Sequence, residues 1–259
     1  VLYDAGFSEL MNRMRMRWYV SFVCRVHCWF RKKCSSSELP RNLRESFEKL
    51  GPSFMKLGQV LSMRPDFIPE PYIKELSKLQ DKAPALSFET VKSVVEAELK
   101  KPLKKVFLEF DPLPIAAASL GQVHKARLLD GTEVAVKVQR PNITKTLQKD
   151  LRIIFFLIQK MERYIPEVRR LRPHAALETF SQSLARELDY VIEGKNADRF
   201  RYNFRDEKGI VTPKIYWDFT TSKVLTMEFV VGAKMGDHKK LEEFGIDHEE
   251  LMKNCTRAC

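Results

Sequence analysis

Three observations predict an α+β fold. Apolar residues repeat at helical spacing through the first hundred positions, the period shifts toward two beyond Val106, and an Asp130-Gly131 turn signal separates two strand-like runs there. The 259 residues allow one large domain or two small ones, and a hydrophobic content of 44% is ample for a packed core. The chain opens on Val1 and closes in a helical pattern, Glu249 to Cys259, without a Gly or Asn stop, so it is expected to be incomplete at both ends.

Leu10, Met14, Trp18, Phe22, Val26 and Phe30 recur every four residues, predicting an amphipathic helix over 7–33. Seven Arg or Lys against Asp4 and Glu9 give residues 1–33 a charge of +5 out of the chain's +11. A cationic rim beside a Trp/Phe stripe suits an anionic lipid surface, although a stripe of that spacing more often packs on its own protein. Residues 1–34 are thus a basic helix, and Ser35-Ser36-Ser37 marks a linker. From Leu43 to Lys101 the pattern is helical with punctuation: Gly51-Pro52 starts a helix, Arg64-Pro65 ends it, Pro69-Glu70-Pro71 starts the next and Ala83-Pro84 breaks again. Ser87 is placed to cap Phe88 to Leu99, with Glu89 in the first turn to meet the helix dipole. Residues 35–105 therefore form a helical extension.

Strands are predicted at Val106 to Phe110, Leu120 to Leu128 and Thr132 to Val138, the last two joined through Asp130-Gly131. Thr144 to Tyr164 and Pro173 to Asn203 read as long helices, Val211 to Trp217 and Lys223 to Phe229 as strands, and the remainder as helix. This assigns 106–231 to a strand-bearing lobe and 232–259 to the start of another.

Composition removes several function classes. Five cysteines (Cys24, Cys28, Cys34, Cys255, Cys259) include no quartet at zinc spacing; Cys24 and Cys28 share a helical face without a second pair nearby, so no metal site is expected. No apolar run approaches the ~20 residues that span a bilayer, and the interrupted stretch from Trp18 to Phe30 is no secretory signal. The net positive charge favours anionic partners, but no base-reading motif accompanies it, so nucleic acid is not expected.

Lys137, inside Glu133-Val-Ala-Val-Lys137, carries an ammonium on a strand interior, where it needs an anion. Glu187, Asp189 and Glu193 fall on one predicted helix, Asp189 and Glu193 four apart, and one of them is suited to hold Lys137. Lys56, in Phe54-Met-Lys-Leu-Gly-Gln59, is the second candidate cation, and Gly58 beside it in mid-helix implies close approach of a backbone or ligand. Ala116-Ala117-Ala118-Ser119-Leu120-Gly121 occupies the place of a phosphate-covering loop, with Ser119 and the amides near Gly121 as donors. Met227-Glu228-Phe229 ends the last strand, where a hinge would offer backbone groups to an adenine.

Taken in order, these motifs resemble the UbiB-type atypical kinase family, kinase-like proteins of ubiquinone and prenyl-lipid quinone metabolism, over about residues 43–259. Lys56-Leu-Gly-Gln59 matches the family's Lys-x-Gly-Gln signature, Ala116 to Ser119 its Ala-rich loop, and Lys137, Glu187-x-Asp189 and Glu193 its lysine and acidic motif. The resemblance implies a protein-kinase-like N-lobe with a family-specific helical extension. It implies that Lys137 contacts the nucleotide's α/β-phosphates and pairs with Glu193, while Lys56 and Gln59 cover the site and engage Glu187 and Asp189. It further implies ATP or ADP with Mg²⁺, quinone-pathway proteins and a lipid surface as partners, and a membrane-associated setting in a mitochondrion, plastid or bacterial inner-membrane face. The catalytic-loop Asp, metal-binding Asn and Asp-Phe-Gly of kinases are absent from the 259 residues; Asp218-Phe219-Thr220 has Thr for Gly and precedes the hinge. The chain alone is therefore expected to be catalytically incomplete. The competing expectation is a non-catalytic, membrane-associated scaffold.

Overall fold

The computed structural model describes residues 38–79, 83–164, 166–207, 209–233, 235 and 238–258. The basic helix expected over 7–33, its serine linker, and Cys24, Cys28, Cys34 and Cys259 lie outside them. The chain divides into two compact units. The first draws its described residues from Val1–Pro84, Ala118–Leu120 and Asn142–Ala185, the second from Ala85–Ala117, Gly121–Pro141 and Arg186–Cys259.

The first unit is helical. α1 (Leu39–Leu50), α2 (Pro52–Ser62) and α3 (Glu70–Leu76) each carry a proline in the first turn, the last two as the punctuation predicts, because a first-turn Pro sacrifices an amide that has no helical partner anyway. Gly51, at φ +105°, turns the chain between α1 and α2. Phe47, Phe54, Leu76 and Leu79 are buried, with the Phe47 and Phe54 rings 6.0 Å apart. Arg44 reaches Glu48 at 2.6 Å and Glu75 at 3.1 Å, tying α1 to α3. α5 (Ile143–Tyr164) is held to α2 by the buried Ser53 hydroxyl, which donates to Asp150 at 2.6 Å. α6 (Pro173–Glu187) buries Leu177, Phe180 and Leu184.

The second unit is built on a four-stranded antiparallel sheet in the order β1 (Phe107–Ala117), β2 (Gly121–Leu128), β3 (Glu133–Gln139) and β4 (Val224–Glu228). The Asp130-Gly131 turn joins β2 to β3, with Gly131 at φ +89° and the Asp130 carboxylate accepting from the Thr132 amide. α4 (Phe88–Leu99) is capped by Ser87 and lays Val91 and Val95 against Val134, Val136 and Val138 of β3. Strand alternation sends Lys137 to the opposite face. There α7 (Tyr190–Asn203) packs Tyr190 with Ile215 and Leu225. α8 (His238–Glu243) and α9 (His248–Ala258) complete the described chain.

Three expectations are corrected. The helix expected over Pro173 to Asn203 is two helices, broken at Leu188 and Asp189, because the Asp189 carboxylate caps α7 by accepting from the Val191 amide at 3.0 Å. The strand expected over Val211 to Trp217 is a single bridge, Ile215 to Met227, with a 3₁₀ turn after it at Trp217–Phe219. β1 runs on to Ala117, so Ala116 and Ala117 pair with Val123 and Gln122, and only Ala118, Ser119 and Leu120 connect the two strands.

A polar chain crosses the core side of β2. The Leu86 amide donates to Gln122 Oε1 at 2.7 Å, the Gln122 amide lies 2.7 Å from His124 Nε2, and His124 Nδ1 lies 2.8 Å from the Asp111 carbonyl. Every contact is satisfied if the imidazole is neutral with its proton on Nδ1, since the carbonyl can only accept. Burial holds the His124 pKa below its ordinary 6.5. Below pH 6.5 the unfolded chain takes up a proton that the folded chain refuses, so this contribution is complete above that value and is lost as pH falls. The wild type is expected to lose up to about 1.4 kcal/mol per pH unit in this window. Denaturation at pH 7.5, 6.0 and 5.0 checks it; a His124→Phe variant with the same slope as wild type would refute the assignment.

Candidate functional site

β3 and α7 bring Lys137 and Glu193 together. The Lys137 ammonium lies 2.8 Å from each Glu193 carboxylate oxygen, and both side chains are partly open to solvent, at 29% and 40% exposure. Glu193 occupies the first turn of α7, one turn beyond the Asp189 cap. The ammonium also stands 4.7 Å over the Tyr190 ring centroid. A cation between a carboxylate and an aromatic face is fixed in position yet keeps a solvent-facing side for an anion.

The supporting contacts come from residues with little chemistry of their own. Gln139, at the end of β3, donates to the Leu188 carbonyl at 2.8 Å, and its backbone amide donates to the Lys223 carbonyl at 3.0 Å. The Tyr190 amide donates to the Ser222 carbonyl at 3.1 Å. These bonds anchor the break before α7 to the sheet and set the height of Glu193 beside Lys137. Gly121 opens β2, where an added Cβ would lie 2.5 Å from the Tyr190 hydroxyl and 2.6 Å from the Val138 carbonyl oxygen. Sequence reasoning missed Tyr190 and Gln139. Their signal is slight: an aromatic next to an N-capping Asp, and a glutamine closing an apolar strand.

The other sequence candidates lie on α2, at the break between α6 and α7, between β1 and β2, and at the end of β4. Glu187 ends α6, and Asp189 spends one carboxylate oxygen on its cap. Ser119 is buried in the connection between β1 and β2. At the end of β4 the Glu228 amide donates to the Lys214 carbonyl and the Phe229 amide to the Glu133 carbonyl, so both are already engaged. Lys56, Gly58 and Gln59 lie on α2 in the helical unit, where Gln59 donates to the Leu79 carbonyl at 3.3 Å. Gly58 has a packing reason: a Cβ there would meet Leu79 at 2.4 Å and Phe47 at 2.8 Å. Gly58→Ala is expected to cost about 1–2 kcal/mol, because overpacking outweighs the gain in helix propensity. Urea denaturation measures it, and a stabilised variant would show that Leu79 simply moves aside.

A lysine held by a helix carboxylate against an antiparallel sheet, beside a tight first hairpin, defines a kinase-like lobe. The match to the model of the ABC1 atypical kinase-like domain covers residues 78–259, and the chain belongs to that family. It is 42% identical to the chloroplastic ACTIVITY OF BC1 COMPLEX KINASE 7 of Arabidopsis thaliana, over 88% of this chain and 33% of that protein. It is 35% identical to a probable protein kinase UbiB of Tolumonas auensis, over 95% of this chain and 46% of that protein. The solved complex of Rv3197 with erythromycin from Mycobacterium tuberculosis aligns at a TM-score of 0.50 and 30% identity, covering 81% of this chain and 55% of that one. The chain thus spans between a third and a half of the length of these curated relatives.

Proposed function

We propose that the Lys137–Glu193 pair is the phosphate-holding element of a nucleotide site, and that the protein serves as the ATP-binding lobe of an atypical kinase or ATPase. The observation that carries this is the two-oxygen contact of Glu193 on Lys137, which orients a cation on a strand interior without neutralising its open side. Two features of the site suit a nucleotide. The ammonium can take an α- or β-phosphate oxygen, and the carbonyls of Met227 to Phe229 can face an adenine. Ala116 and Ala117, at the end of β1, would line the phosphates as a stiffer cover than glycines provide, and Glu187 and Asp189, at the break between α6 and α7, would gate access. Among the described residues no three Asp, Glu, His or Cys side chains converge as a metal cage. Mg²⁺ that accompanies a nucleotide is held by the phosphates and one or two carboxylates rather than by such a cage, so the metal would enter with ATP.

From the resemblance to the UbiB-type family we further infer support of ubiquinone or prenyl-lipid quinone metabolism beside an organellar or bacterial membrane, together with quinone-pathway proteins. Among the described residues no helix is long and apolar enough to cross a membrane. Titration of the chain with ATP in a calorimeter, with and without magnesium, tests the nucleotide site. Saturable binding displaced by ADP is expected. No binding at millimolar ATP, with vesicle binding intact, would leave the scaffold reading in its place.

A further inference from the structure

The Tyr190 hydroxyl is the most conspicuous unsatisfied group near the site. Tyr190 is 1% exposed, and its oxygen has no hydrogen-bond partner among the described residues. Burial pushes the phenol well above its ordinary pKa, so the group remains a donor at physiological pH. Leaving a buried donor unmatched is costly, and a phenylalanine would fill the same ring volume without that cost. The oxygen abuts the Gly121 backbone, since a Cβ there would lie 2.5 Å from it, and the same point is 2.6 Å from the Val138 carbonyl. Acceptors are therefore within a small movement. The β1–β2 ladder is already irregular nearby, with a register shift between Pro114 and Ala116, so the strand start can shift without breaking a continuous ladder.

We propose that Tyr190 is a positioning residue. Its hydroxyl is held for the nucleotide-bound state, where it donates to a backbone carbonyl at the Gly121–Val138 contact while its ring keeps Lys137 against Glu193. The acceptor is backbone rather than phosphate because the hydroxyl lies covered beneath Gly121. This inference rests on the nucleotide reading of Lys137, and it links occupancy of the phosphate position to the setting of the strand that begins at Gly121.

The test compares the unaltered chain with Tyr190→Phe, which keeps the ring and removes the donor. ATP affinity is expected to fall about 3- to 10-fold, while the thermal midpoint without nucleotide stays the same or rises. ATP should slow amide exchange at Gly121 and Gln122 in the unaltered chain and not in the variant. Equal ATP affinity in the two proteins overturns the inference and leaves the nucleotide site standing. Affinity and nucleotide-free stability falling together would also overturn it, by showing that the hydroxyl matters for packing alone. If the unaltered chain binds no ATP, both readings fail together.

Discussion

Lys137→Met is expected to weaken ATP binding at least tenfold while barely moving the thermal midpoint of the free protein. The two halves of this expectation have different physical sources. The Lys137–Glu193 pair is 29% and 40% exposed, and water screens ion pairs of that kind to a net worth of about 0–1 kcal/mol. Methionine keeps most of the aliphatic stem, so the contact with Tyr190 survives as packing. A phosphate, in contrast, loses a charge-assisted hydrogen bond worth about 1.5–3 kcal/mol, which is roughly 10- to 150-fold in affinity. Lys137→Arg should not restore binding, because a planar guanidinium cannot occupy the ammonium's place between Glu193 and the ring. Glu193→Gln keeps an oxygen acceptor but not its charge, so its effect on affinity should be smaller than that of Lys137→Met. Calorimetry and thermal denaturation on the same samples separate the terms. Unchanged ATP affinity in Lys137→Met would remove the lysine from the site, and a collapse of the midpoint would make the pair a structural one.

Much of the lobe was legible because its signals are local. Gly131 can adopt the positive φ that the turn between β2 and β3 needs, Ser87 can cap α4, and the prolines at 52, 69 and 71 suit a helix start and not a helix interior. The features that stayed hidden depend on partners distant in the chain. The continuation of β1 through Pro112 and Pro114 contradicts the usual reading of proline as a strand breaker. It is tolerated because β1 is an edge strand with register shifts on either side of Pro114, so no ladder amide is missed. The break between α6 and α7 contains neither Gly nor Pro. It forms because Asp189 caps α7 and Gln139 secures the Leu188 carbonyl from the end of β3, a partnership that no window of sequence displays. The Gln122–His124 chain was not read from the sequence, although both side chains share a strand face with Ala126 and Leu128. Two polar residues on a core face need acceptors that only the folded segments around Leu86 and Asp111 supply.

Gly121→Ala is expected to be the most damaging small substitution in the sheet, at about 1–3 kcal/mol. The new methyl would meet the Tyr190 hydroxyl at 2.5 Å, the Val138 carbonyl oxygen at 2.6 Å and its carbon at 3.3 Å. Two of those three atoms are backbone of β3, so relief requires moving the strand that carries Lys137 rather than rotating a side chain. The result should be a double loss: a thermal midpoint lower by several degrees, at roughly 2–4 °C per kcal/mol for a chain of this size, and weaker ATP binding. Gly232→Ala is the matched control, because nothing lies within 4 Å of its added methyl and its φ is not positive. It should be close to neutral. Adding Tyr190→Phe to Gly121→Ala removes the closest obstacle but leaves the carbonyl in place, so it should recover only part of the stability. Full recovery in the double variant would place the whole conflict on the hydroxyl and acquit β3, whereas no recovery would show that the carbonyl contact alone decides what can stand at position 121.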